Sequence, residues 1–164
     1  MENYLMLDGK KYELSPDLVN ALRGGTLEEE KSPFSRKSGD IYFEMNGMGE
    51  VIETVDYGTG WDNSRFAVAN YCRDRSLVEQ RSLHETLDRL LWRYSAEHGL
   101  ASGWDHSRFN YRIYRRMDNG EFALVCNDSY KSQGAVYFCD EATARSAIEE
   151  VVKPFLAEHP DFVW

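Results

Sequence analysis

One stripe of side chains constrains this fold more than any other feature. Leu83, Leu87, Leu90, Leu91 and Tyr94 lie on one face of a helix if the stretch from about Asp74 to His98 is helical. Gly99 follows as a stop. Glu85–Arg89 and Arg93–Glu97 are spaced to pair on the solvent side. A stripe of that length needs a second apolar surface to cover it. The rest of the chain is therefore read for elements that supply one.

Those elements are hairpins. Tyr4-Leu5-Met6-Leu7 and Lys11-Tyr12-Glu13-Leu14 flank Asp8-Gly9, a strong signal for a tight turn. Ser15-Pro16 then reads as the cap and first position of a short helix that ends at Gly24-Gly25. Residues 26–38 are polar and contain Pro33, so they read as a linker with Phe34 docking. Ile41–Met45 and Glu50–Val55 surround Asn46-Gly47-Met48-Gly49 as a second hairpin, and Arg65–Cys72 reads as a third strand. Tyr111–Arg116, Glu121–Cys126 and Gly134–Cys139 read as three more strands. A last helix is expected over Glu141–Glu158, with Pro154 kinking it or ending its regular part.

The order hairpin, strand, helix thus occurs twice. The expected fold is α+β: two degenerate βββα units, residues 39–98 and 109–158, packed around a shared core. The division is 1–25 for the N-terminal hairpin and helix, 26–38 for the linker and 39–164 for the main domain. Cys72 and Cys139 are expected at matching positions in the two units. A second likeness falls outside that alignment. Trp61-Asp62-Asn63-Ser64-Arg65-Phe66 and Trp104-Asp105-His106-Ser107-Arg108-Phe109 differ at one place in six. Either the match is chance, or both loops present Trp, Asp and Arg in one local turn. Structurally each reads as an aspartate-capped turn with its tryptophan in the core, and functionally as one of a pair of loops lining one recognition surface.

Apolar residues make up 42% of the 164, enough for one ordinary domain with a core. The apolar runs are too short to span a bilayer, so no membrane is expected. The net charge of −9 argues against a general nucleic-acid coat protein. Charge is uneven: residues 1–30 carry three basic and seven acidic groups, and residues 117–164 three basic and nine acidic. Between Gly99 and Arg116 four arginines face a single Asp105. Cys72, Cys126 and Cys139 show no C-x-x-C spacing, which disfavours disulfides and a zinc ribbon. His84-Glu85 opens like a zinc-protease helix, but the second ligand position holds Asp88. Walker, G-x-G-x-x-G and G-x-S-x-G motifs are absent. No catalytic residue, metal or cofactor is expected. The start, Met1-Glu2-Asn3-Tyr4, lacks a signal peptide's basic and apolar regions, so the cytoplasm is the expected compartment.

Three runs carry a family resemblance: Asp62–Phe66, Asn70–Asp74 continuing into Glu79–Ser95, and Tyr130–Phe138 followed by an alanine-rich helix. Over about residues 39–155 the chain resembles small uncharacterised proteins encoded on phages, prophages and other mobile elements of gut Firmicutes. It departs from them at Trp104–Asn110. The resemblance implies an accessory protein of a mobile element. With the acidity, it leads to the expectation of a non-enzymatic protein that binds host machinery. The specific form is an inhibitor of a host defence nuclease, anti-CRISPR-like in manner, whose carboxylates take the place of phosphates. The alternative is a protein that sequesters a nucleotide or single-stranded nucleic acid with its Arg and Trp loops. The candidate partner-binding residues are Trp61, Asp62, Arg65, Trp104, Asp105 and Arg108, with Arg112 and Arg115 nearby. Tryptophan and arginine supply most of the binding energy at interfaces.

Overall fold

The computed structural model describes residues 4–15, 19, 32–100, 103–127 and 129–164. The fold mixes α and β elements. Among the described residues the strands form three separate antiparallel hairpins: β1 (Tyr4–Leu7) with β2 (Lys10–Glu13), β3 (Ile41–Met45) with β4 (Val51–Val55), and β5 (Asn110–Arg115) with β6 (Phe122–Asn127). The helices among the described residues are α1 (Gly60–Ala67), α2 (Arg75–Glu97), α3 (Glu141–Ala147) and α4 (Lys153–Glu158), with a π-helical stretch at Ile148–Val152 joining the last two. No described helix is long and apolar enough to cross a membrane. The helix expected after Ser15 lies largely outside the described residues.

The expected hairpin turns form. Asp8 and Gly9 both take positive φ, 51° and 76°, as a tight primed turn requires. In the β3–β4 turn Asn46 Oδ1 accepts from the amides of Met48 and Glu50, each at 2.9 Å. Gly49 there has φ 88° and packs so closely on α2 that a Cβ would sit 3.2 Å from Arg89 and 3.3 Å from Thr86. Its carbonyl accepts the Ser82 hydroxyl, which pins the turn to the helix.

α2 realises the long stripe. Asp74 caps it, accepting from the amides of Ser76 and Leu77. Leu87, 3% exposed, and Leu91 are buried, and Leu90 is half-buried. Their cover comes from the C-terminal half: Phe138, Ala144, Ala147, Val152, Phe155 and Phe162, with Ile113, Phe122 and Leu124 from β5–β6 at the margin. A smaller cluster joins Leu100, Trp104 and Tyr137. On the helix surface Glu85 pairs with Arg81 rather than with Arg89, at 2.9 Å.

The expected third strand at Arg65–Cys72 is replaced by α1 and its exit. Thr59 and Asp62 form a reciprocal capping box that starts a helix at Gly60. Helix nucleation there overrides the apolar run that suggested a strand. α1 ends through Ala69, a non-glycine residue at φ 56°, after which Asn70 N–H donates to the Arg65 carbonyl at 2.8 Å. Only Cys72 of the run joins a strand, as an isolated bridge to Phe43. Likewise Gly134–Cys139 contributes one bridge, Phe138 to Tyr111. Phe138 therefore takes the bridging place that Cys72 holds, and Cys139 lies one residue beyond it. The last helix spans the expected range, but Pro154 has no N–H for the Glu150 carbonyl. The wider π turn just before it absorbs that missing bond.

Two stability outcomes follow. Leu87→Ala should cost about 2–5 kcal/mol in urea unfolding. Ala69→Gly should raise stability by up to about 1 kcal/mol, because glycine accepts the left-handed backbone that strains alanine. A loss on Ala69→Gly would show that the methyl group packs usefully.

Candidate functional site

The candidate site grows from two aspartates placed on either side of a turn. Asp56 follows β4, and Asp62 sits in the first turn of α1. Between them Gly58 takes φ 71°, turning the chain so that both carboxylates point inward. Asp56 is 0% exposed. A buried carboxylate needs donors on its oxygens. Asp56 has four: Arg36 Nε at 2.5 Å, Arg36 Nη2 at 3.1 Å, the Gly58 amide at 2.7 Å and the Tyr71 hydroxyl at 3.2 Å. The Arg36 hydrogen bonds dominate and hold its pKa down at about 2.

Asp62 is nearly as buried. It accepts from the Thr59 hydroxyl at 2.7 Å, the Thr59 amide at 2.9 Å, the Tyr42 hydroxyl at 2.9 Å and the Tyr57 amide at 3.2 Å. The Thr59 hydroxyl is the main cause of its lowered pKa. The rings of Tyr42 and Tyr71 stack with centroids 4.1 Å apart, joining the two carboxylate sites. Burial, with the bond to Asp56, pushes the Tyr71 hydroxyl up to about 12. Arg65 reaches in from α1, donating to Tyr42 Oη at 3.1 Å and pairing with buried Glu44. Arg36 also holds Asn63 Oδ1 at 2.5 Å. The result is one polar chain that fixes α1 to the β3–β4 hairpin. Trp61 is left 76% exposed on the outer side of α1, and Tyr57 and Val68 are exposed before and after the helix.

The second copy of the hexapeptide is built differently. Trp104 is 9% exposed and meets Tyr137 edge-to-face at 4.8 Å. Asp105 accepts from the Ser107 amide at 2.8 Å and hydroxyl at 2.6 Å, and pairs with Arg108 at 2.8 Å. Buried Asn110 holds the turn through the carbonyls of Asp105 and Arg108. Of the two readings left open, one local turn shared by both copies is therefore corrected, and the aspartate-capped turn with a core tryptophan holds for the second copy alone. The first copy is helical, with an outward tryptophan and an inward aspartate. The second is an aspartate-capped turn whose tryptophan fills the core. Arg112 donates to Ser132 Oγ at 3.4 Å, and Arg115 to the Gly120 carbonyl at 3.1 Å beside the Phe122 ring.

Sequence reasoning missed Arg36, Asp56, Tyr42 and Tyr71, which hold the site together. One signal was present: Thr59-Gly60-Trp61-Asp62 is a capping-box spacing. Among the described residues, no three of histidine, cysteine, aspartate and glutamate converge as metal ligands. In comparisons with known proteins, no family model, no curated protein and no solved structure matches this chain.

The network makes stability acid-sensitive. The folded Asp56 pKa of about 2 lies below the ordinary 3.8, so its stabilisation is full above the ordinary value and is lost as pH falls through about 2. Melting curves should therefore drop between about pH 4 and about pH 2, and Asp56→Asn should flatten that limb while lowering stability at neutral pH. Arg65→Ala should lower the melting temperature, because it strips a buried glutamate of its cation. Arg108→Ala, at an exposed pair, should leave it nearly unchanged.

Proposed function

We propose that this chain is a non-enzymatic accessory protein of a phage or other mobile element, acting in the cytoplasm by binding a host protein. The partner is a nucleic-acid-binding nuclease of host defence, blocked in an anti-CRISPR-like manner. The observation that carries this reading is Trp61. A large apolar ring stands in solvent on a short helix whose underside is fixed by buried charges. Rigid, solvated tryptophans of this kind are what protein interfaces use as anchors. The net charge of −9 supports steering toward a basic surface.

The two halves are further proposed to be degenerate copies of one unit. In each, the first hairpin strand is bridged by a residue that a tyrosine precedes, and an aspartate cap follows two residues on. The sets are Phe43, Tyr71, Cys72 and Asp74 in one half, and Tyr111, Tyr137, Phe138 and Asp140 in the other.

The test is retention from a host lysate on immobilised protein, with the captured proteins identified by mass spectrometry. A basic nuclease should be held in a salt-sensitive way. It should be lost with Trp61→Ala at an unchanged melting temperature. Retention that survives Trp61→Ala would move the site elsewhere. A thermal shift with nucleotides or single-stranded nucleic acid, and no protein retained, would favour sequestration instead.

A further inference from the structure

The β3–β4 hairpin has one satisfied edge and one open edge. On the outer side of β3, Phe43 exchanges both backbone bonds with Cys72, at 2.6 and 3.1 Å. Two residues on, the Asn70 carboxamide imitates a strand, accepting from Met45 N–H at 2.9 Å and donating to its carbonyl at 2.8 Å. Phe43 and Met45 therefore turn their backbone groups away from β4. In an antiparallel ladder the residues opposite them turn theirs away from β3. Those residues are Glu53 and Val51, with Val55 following by the same alternation. Among the described residues, nothing bonds the outward amides and carbonyls of Val51, Glu53 and Val55.

That edge runs into a cleft. Val51 is part of its lining, together with Leu83 and Phe162 as an apolar floor and Glu79, Glu158 and Asp161 as polar residues; the cavity volume is about 460 Å³. The far wall is fixed, because the Gln80 carboxamide donates to the Asp161 carbonyl and accepts from Val163 N–H, both at 2.9 Å. Arg75 also lines the cleft, where it is engaged by Glu79 at 2.7 Å, lies over the Phe43 ring at 5.8 Å and feels the Glu53 charge.

We infer that the open edge of β4 takes an extended segment of the partner as an added strand, with a lysine or arginine entering the cleft. Directly paired residues share a sheet face, so the residue opposite Val51 projects on the side of the cleft, and the one opposite Glu53 on the side of that carboxylate. A long cationic side chain suits the place opposite Val51. Its stem lies on Leu83 and Phe162, and its head meets carboxylates. Backbone bonds give affinity, and the alternate side chains give specificity. Self-pairing of two copies about Glu53 would set one glutamate against the other, which disfavours a second copy as occupant. The inference deepens the nuclease reading by naming the kind of segment bound.

The experiment uses the full chain and a short labelled peptide alternating valine and arginine, followed by fluorescence anisotropy. The arginine peptide should bind and weaken with salt, and its glutamate counterpart should not bind. Glu53→Pro removes an outward N–H together with the carboxylate and keeps the hairpin's own ladder, and affinity should fall about tenfold or more. Glu53→Gln keeps that N–H and should lose less. Circular dichroism melting checks that each variant folds. Equal binding by wild type and Glu53→Pro, no binding of the arginine peptide, or self-association that Glu53→Pro abolishes would each overturn the inference. Peptide binding without nuclease capture would leave the edge standing and remove the nuclease. Nuclease capture without peptide binding would do the reverse.

Discussion

The arrangement around α1 depends on one constraint: Asp56 is ionised and has no access to water. A carboxylate in that position destabilises the fold unless donors surround it. Its four donors come from three places in the chain: Arg36, the Gly58 amide and Tyr71. Satisfying this one group therefore draws the segment before β3, the turn after β4 and the exit of α1 together. The stacked tyrosines pass the same demand on to Asp62, whose carboxylate starts the helix. The position of α1 is a consequence of electrostatics more than of apolar burial. The helix buries little besides Asp62, and its tryptophan stays in water.

α2 works by the opposite principle. It buries Leu87 and Leu91 against the C-terminal half, while Ser82 fixes the β3–β4 turn. The same helix thus joins an apolar core on one side and a polar, hydrogen-bonded hairpin on the other. The β3–β4 hairpin gains order from side-chain substitutes for a strand, Asn70 above all, rather than from a wider sheet. That explains how this two-stranded hairpin persists where no larger sheet forms among the described residues.

The parts legible in the sequence are those with strong local rules. Asp8-Gly9, Asn46-Gly47 and the α2 stripe each specify their geometry within a few residues, and their placement matches expectation. Arg65–Cys72 did not, because a run of alanine, valine and tyrosine reads the same in a strand and in a helix exit. The capping pair that decides between them lies upstream at Thr59 and Asp62. Arg36 was illegible for another reason. It lies 20 residues from Asp56, in polar sequence, and nothing local marks a buried partner. Long-range charge pairing leaves no periodic trace.

The two W-D-x-S-R-F segments show how far context outweighs local sequence. Both aspartates do the same chemistry, accepting hydrogen bonds from a neighbouring hydroxyl and amide. The difference lies in where the neighbouring partner sits. Thr59 precedes Asp62, so the carboxylate reaches backward and closes a capping box that winds a helix forward. Ser107 follows Asp105, so the carboxylate reaches forward and closes a turn instead. Asn110 then takes up the carbonyls of Asp105 and Arg108, carbonyls that a helix would have bonded to its own amides. Once the backbone differs, the tryptophan beside each aspartate goes opposite ways. On a helix the residue before an inward aspartate turns outward, as Trp61 does. In the turn the ring folds back onto Tyr137. One hexapeptide pattern thus leaves a solvent-facing aromatic in the first place and a core residue in the second, and only the first is available to another molecule.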